Sequence, residues 1–312
     1  MGTCIPISRR EFLTAAAVLG TAACSSSIAA KKPVAVWGGE GLRDGRFMRP
    51  RAIDAYQDEI YVVDTTGRVQ VFDSNGNFAR MWKIPEQDNG TPTAIIHTLD
   101  GRIVIPDTHN SRILEYTPEG KLLSQWGSYG SGTNEFIYPT GIALSKEGTY
   151  FISEYGENAE RVHVFDDSHK YQHHWGSLGD EPGNFSRAMD IAINSNGQVL
   201  VADTTNHRIQ IFDQDGTLHS TFGSSGTEPG KLKFPYDIAV TKEDTVVICE
   251  YGNNRITHMT QDGKFLGAIG SAGRAPGQLN SPRGIAVTDS GKLYVADTDN
   301  HRIQEFRLED LS

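Results

Sequence analysis

Six acidic residues and six arginines recur in step along this chain of 312 residues. Asp64, Asp107, Glu154, Asp203, Glu250 and Asp297 are followed, four to seven residues later, by Arg68, Arg112, Arg161, Arg208, Arg255 and Arg302. A carboxylate beside a guanidinium makes a charge-assisted hydrogen bond, which can pin a loop or hold a ligand. Six equivalent copies do not form one active centre, so the economical reading is local. Each acid ends one strand, its arginine opens the next, and the pair fixes geometry more than it adds net stability. The copies differ elsewhere. At the start of each unit stand Arg51, Thr93, Thr140, Met189, Tyr236 and Arg283, followed by Ala52, Ala94, Gly141, Asp190, Asp237 and Gly284. Arg51 and Arg283 have the chemistry to hold a carboxylate or phosphate. Asp190 and Asp237 could bind a divalent cation through oxygen, with no third ligand assignable. The third and fifth copies replace Asp-Thr with Glu154-Tyr155-Gly156 and Glu250-Tyr251-Gly252. Tyr155 and Tyr251 then either pack over a neighbouring unit or form a ligand-facing aromatic pair.

Catalytic constellations are sparse. No histidine stands at any of the six unit starts, and His97 is alone a few residues inside the second copy. His173 and His174 fall in a fourth, outer strand; His207 and His301 belong to the repeated loop. Nothing in the spacing points to a Ser-His-Asp triad. Beyond the first 30 residues the only cysteine is Cys249, in the apolar run Val246-Val247-Ile248-Cys249, where it reads as a packed core residue.

The elements that must position these residues are short strands. Residues 190–212 and 284–306 align without a gap, and four more copies share their grammar. An apolar triplet leads to a turn, a second strand ending in the acid, a short loop, and a third strand opened by the arginine. Turns such as Ser74-Asn75-Gly76 and Gln214-Asp215-Gly216 follow, then a fourth strand ending in Trp126-Gly127, Trp175-Gly176 or Phe222-Gly223. The acids lie 43 to 49 residues apart. Four strands at this period, six times over, predict an all-β six-bladed propeller. The sixth copy has only three strands, and Val34-Ala35-Val36-Trp37-Gly38 matches the missing one, so an N-terminal strand closes the ring and leaves no open edge. First strands then line a central channel, and loops between blades share one face with the acid–arginine loops. Arg51 with Arg283, and Asp190 with Asp237, fall in adjacent blades. The expected channel mouth has a basic side and an opposite acidic side, a concave place of the kind ligands use.

The formal net charge of −10 disfavours nucleic acid and anionic membranes as partners. Residues 1–30 read as a targeting segment and residues 31–312 as the propeller. Ser8-Arg9-Arg10-Glu11-Phe12-Leu13 resembles the twin-arginine export motif, with an apolar run over 13–23 too short to span a bilayer. That resemblance implies a bacterial protein carried out of the cytoplasm already folded. Thr21-Ala22-Ala23-Cys24 resembles a lipoprotein cleavage box, although Thr21 stands where leucine is usual. Lipidation of Cys24, the one route to a membrane, and ordinary cleavage near Ala29 or Ala30 to a soluble periplasmic protein both remain open.

Asn206-His207-Arg208-Ile209 and Asn300-His301-Arg302-Ile303, each after Ala-Asp-Thr, resemble the NHL repeat, and the pattern runs from about residue 33 to 308. The resemblance implies a six-bladed propeller. NHL proteins include extracytoplasmic sensor domains, RNA- and protein-binding domains and a zinc-dependent amidating lyase that holds zinc with channel histidines; related propellers include lactonases and strictosidine-synthase-like proteins. Fold therefore does not select function. The expectation is an exported binding or scaffold module for a protein, peptide or small ligand at the channel mouth. The alternative is a metal-assisted hydrolase or lyase, lactonase-like or amidating-lyase-like, in the central channel. No cofactor is assigned beyond a candidate divalent cation at Asp190 and Asp237.

Overall fold

The computed structural model describes residues 31–87 and 90–311. Residues 1–30, read above as a targeting segment with Arg9, Arg10 and Cys24, lie outside them. Six four-stranded antiparallel sheets follow one another as blades. Their inner strands are Pro50–Tyr56, Ile96–His97, Tyr138–Leu144, Ala188–Ile193, Pro235–Val240 and Gly284–Val287. Blade 6 is completed from the other end of the chain. Ala35–Gly38 pairs antiparallel with Arg302–Arg307, Trp37 standing opposite Ile303. Among the described residues no helix is long and apolar enough to cross a membrane.

The second and third strands of each blade are buried on both faces, as the blades stack face to face around the ring. Between blades 3 and 4, for example, Phe151 and Val164 meet Val199, Val201 and Phe212. The outer strands contribute Trp37, Trp82, Trp126 and Trp175. Each of three of these lies against a turn glycine of the next blade. A Cβ on Gly120 would sit 2.5 Å from Trp82, and one on Gly216 2.7 Å from Trp175, so these turns need glycine for the close approach as well as for positive φ.

The acid–arginine pairs hold each blade to the loop leading into it. All six acids are fully buried. Asp64 pairs with Arg68, and the others close at 2.9 Å (Asp107–Arg112), 2.6 Å (Glu154–Arg161), 2.7 Å (Asp203–Arg208), 2.5 Å (Glu250–Arg255) and 2.7 Å (Asp297–Arg302). The acids also accept backbone N–H groups from the lead-in loop, such as Ser186 onto Asp203 (2.8 Å) and Asn280 onto Asp297 (2.7 Å). The arginines donate to the same loop's carbonyls, as Arg208 does to Glu181 and Asn184. His207 and His301 extend this pinning to the following blade. Their Nδ1 atoms accept the N–H of Phe234 (3.0 Å) and Arg49 (3.1 Å), two residues held at positive φ.

Where the inner strands of blades 1, 3, 4 and 5 begin, their pairing slips. The register shifts between Pro50 and Ala52, Pro139 and Ile142, Ala188 and Asp190, and Pro235 and Asp237. A bulge leaves a residue unpaired and re-aims its side chain. Here those residues include Arg51, Met189 and Tyr236, and the bulges place them at one end of the channel.

Candidate functional site

Tyr236 is the centre of the channel mouth. Its hydroxyl accepts from Arg283 Nη1 of the next blade at 2.7 Å and from Arg51 of blade 1 at 3.3 Å. Blade 6 separates blades 1 and 5, so the Arg51–Tyr236 bond spans the inner strand of blade 6. The Arg283 guanidinium lies 4.8 Å from the Tyr236 ring centre and 4.9 Å from that of Tyr251. Across the mouth, Arg187 lies over Tyr155 at 4.7 Å, and Tyr155 packs on Tyr138, which packs on His109. Burial pushes the Tyr155 hydroxyl up, against the charges of Arg187 and Arg51. Burial and the Arg51 charge hold His109 below the ordinary imidazole range.

The arginines at this end differ from those in the pins. Arg51, Arg187 and Arg283 make no ion pair with a carboxylate among the described residues, and Arg51 Nε is buried without a hydrogen-bond partner. Arg49, at the rim, is neutralised by Asp299 at 2.8 Å. Arg187, Arg283, Tyr236, Tyr251, Phe234 and the threonines 204 and 205 line one pocket of about 280 Å³.

Asp190 and Asp237 are not the acidic half of this mouth. They line a separate cavity of about 470 Å³ in the channel, whose walls are otherwise the alanines, isoleucines and valines of the inner strands, together with Asp54 and His97. Each carboxylate is turned along the ring rather than into the opening. Asp190 accepts the N–H of Ile238 at 2.9 Å, and Asp237 accepts that of Ile285 at 2.8 Å. The two carboxyl groups are close enough to act on one another's protonation. Burial raises Asp190 to about 6, against the stabilising bonds from Asp237 and the backbone. Burial and then the Asp190 charge push Asp237 well above the usual carboxylate range. Two carboxylates this close do not both ionise readily, so the pair retains a proton near neutrality. The close fit here depends on Gly141, where a Cβ would lie 2.5 Å from Asp190 Cα. Among the described residues no three His, Cys, Asp or Glu side chains gather as a metal-ligand set. The donors present at this point are two acids already engaged with each other and with the backbone.

Two features are absent from a reading of the unit starts. Arg187 precedes the inner strand of blade 4 and is held at φ 56°, in the slot occupied by Arg49, Phe234 and Ser281 in other blades. Its backbone N–H donates to the buried carboxylate of Glu160 at 2.7 Å, while its guanidinium lies over the Tyr155 ring. His97 is not alone: its Nδ1 meets Asp54 Oδ2 at 2.8 Å, and its ring stacks on Tyr56. His173 and His174 lie on the outer strand Tyr171–Trp175, away from the channel. Cys249 is buried opposite Asp237 in the core, its thiol pushed up chiefly by burial.

The model of the NHL repeat family matches residues 185–212 and 279–306, the units of blades 4 and 6. Solved propellers share the overall fold at low identity. A catalytically inactive virginiamycin B lyase from Staphylococcus aureus, solved with quinupristin, is 16% identical over 88% of this chain and 89% of its own, with a TM-score of 0.58. A streptogramin B lyase structure is 15% identical over 87% of this chain and 96% of its own, with a TM-score of 0.60. A protein of unknown function from Bacteroides thetaiotaomicron is 15% identical over 87% of this chain and 73% of its own, with a TM-score of 0.66.

Proposed function

We propose that this NHL-repeat six-bladed β-propeller is a binding module whose ligand sits at the channel-mouth face. The observation that carries this reading is Arg283, lying over the rings of Tyr236 and Tyr251 without a carboxylate partner, in the mouth pocket. A concave site with aromatic walls and a few converging polar groups is where ligands bind. The test is a ligand screen by thermal shift on the chain lacking residues 1–30, run beside Arg283→Ala. Ligands that raise the melting temperature of the parent and not of the variant support the reading. Ligands that stabilise both equally sink it.

A second reading places chemistry in the channel. Asp54–His97 and Asp190–Asp237 are acid–base pairs lining one cavity, and the lyases above share the fold. Turnover of lactones or of quinupristin that is lost in His97→Ala and kept in Arg283→Ala would favour this enzyme reading over the first. Export through Arg9-Arg10 belongs to the proposal as well. Arg9→Lys with Arg10→Lys should leave the protein in the cytoplasmic fraction, and Cys24→Ser separates a lipid-anchored form from a soluble one.

A further inference from the structure

We infer that the mouth pocket is a site for a small organic carboxylate, its charged group between Arg187 and Arg283 and its apolar body on the wall of Tyr236, Tyr251 and Phe234. This rests on the reading of the mouth as the binding face and names the class of ligand it takes.

The first argument is charge. Arg187 from blade 4 and Arg283 from blade 6 line one cavity, and like charges brought together repel. Every pinned arginine in this fold has a buried acid. These two have none; they are held instead by the faces of Tyr155, Tyr236 and Tyr251. Cation–π contact orients a guanidinium without neutralising it. The Tyr236 hydroxyl, already accepting from Arg283 and Arg51, adds a third cation beside the pocket. That third arginine carries a buried, unpartnered Nε–H. The arrangement is a set of oriented guanidinium groups with no anionic partner, and the planar guanidinium fork matches a carboxylate.

The second argument is shape. The cavity of about 280 Å³ lies just below the range that holds drug-sized ligands, so it takes a small molecule or the end of a larger one. Its walls are aromatic, and Tyr236 is itself buried, which gives an apolar body a surface to lie on.

The test uses the chain lacking residues 1–30 and isothermal titration with benzoate, phenylacetate and 4-hydroxyphenylacetate, each beside its neutral amide, and with inorganic phosphate. The carboxylates should bind and their amides should not. Arg187→Ala and Arg283→Ala should each weaken binding about tenfold or more, as loss of a charged hydrogen bond does, with partial recovery in the lysine variants. Arg187 is exposed, so its alanine variant should melt no lower than the parent without ligand, which separates loss of a contact from loss of fold. A short peptide with a free C-terminus, compared with its amidated form, tells a free acid from a chain end. Equal binding of acid and amide, phosphate binding as tightly as the aryl acids, or no binding by any carboxylate overturns the inference. Loss of a neutral ligand in Arg283→Ala, with no carboxylate bound, would overturn this inference while leaving the binding-module reading intact.

Discussion

Asp237→Asn addresses the proton shared by the channel carboxylates. In the folded protein desolvation raises Asp190 to about 6, and desolvation with the Asp190 charge pushes Asp237 well above the usual carboxylate range. An unfolded aspartate titrates near 3.8. Folding therefore takes up protons between these limits. The sign follows: stability from the pair is full below about pH 4 and is lost as pH rises through the folded values. One extra proton bound in the native state costs about 1.4 kcal/mol per pH unit. Between pH 4 and pH 6 this amounts to roughly 3 kcal/mol. Asparagine keeps an oxygen to accept from Ile285 N–H and supplies an N–H₂ to donate to Asp190, while removing one titration. The variant should gain on the parent with rising pH, by about 1.4 kcal/mol per unit over the window in which Asp237 holds its proton. His109, His163, His207 and His258, all pulled down by burial, contribute with the opposite sign, being stabilising above their unfolded range. They are common to both proteins and cancel in the difference. Cys249, opposite Asp237, stays a neutral thiol across this range. Urea unfolding of parent and variant at half-unit steps from pH 4.5 to 8 measures the difference. Parallel stability curves, or an asparagine variant less stable than the parent at pH 7, would refute the shared proton.

Arg208→Ala removes the partner of fully buried Asp203 and two bonds to the lead-in loop, so it should cost about 3–5 kcal/mol by urea unfolding; Asp203→Asn combined with it should cost less than the two changes summed. Trp37→Ala strips the closing strand of its contacts with Phe72 and Tyr294 and should cost about 3 kcal/mol, with limited proteolysis cutting first at the N-terminal strand. Gly141→Ala drives a methyl group into the backbone of Asp190 and should lower the melting temperature, with Gly183→Ala, whose Cβ meets nothing within 4 Å but whose φ is positive, as the comparison for backbone strain alone.

The fold was legible in the sequence because its signals are local. Strand, acid, loop, arginine and turn glycine recur within each unit, and six repetitions make the pattern hard to mistake. The site was legible only in part. Arg51, Tyr236, Arg283 and Tyr251 stood out where the copies disagree. Arg187 did not, because its slot is defined by a left-handed backbone immediately before the inner strand, and strand periodicity says nothing of that conformation. Asp190 and Asp237 could be assigned to a level in the ring but not to a direction. Asp190 bonds to Ile238 and Asp237 to Ile285, so their orientation depends on the stagger between neighbouring inner strands. That stagger is set by packing between blades and leaves no mark within either strand. The pairing of His97 with Asp54, two blades' inner strands meeting side by side, was hidden for the same reason.

The six pins define what a structural arginine is in this protein: it opens a third strand and faces a fully buried acid, and in blades 1, 2, 4, 5 and 6 it also donates to backbone carbonyls of the lead-in loop. Arg51, Arg187 and Arg283 depart on each count. They lie on or beside inner-strand starts, they have no acid, and their neighbours are aromatic faces and one shared hydroxyl. A chain with a net charge of −10 has carboxylates to spare for pairing them. That these three stay without one, on the one face where blades 1, 4, 5 and 6 bring different side chains together, means their charge is not consumed by the scaffold.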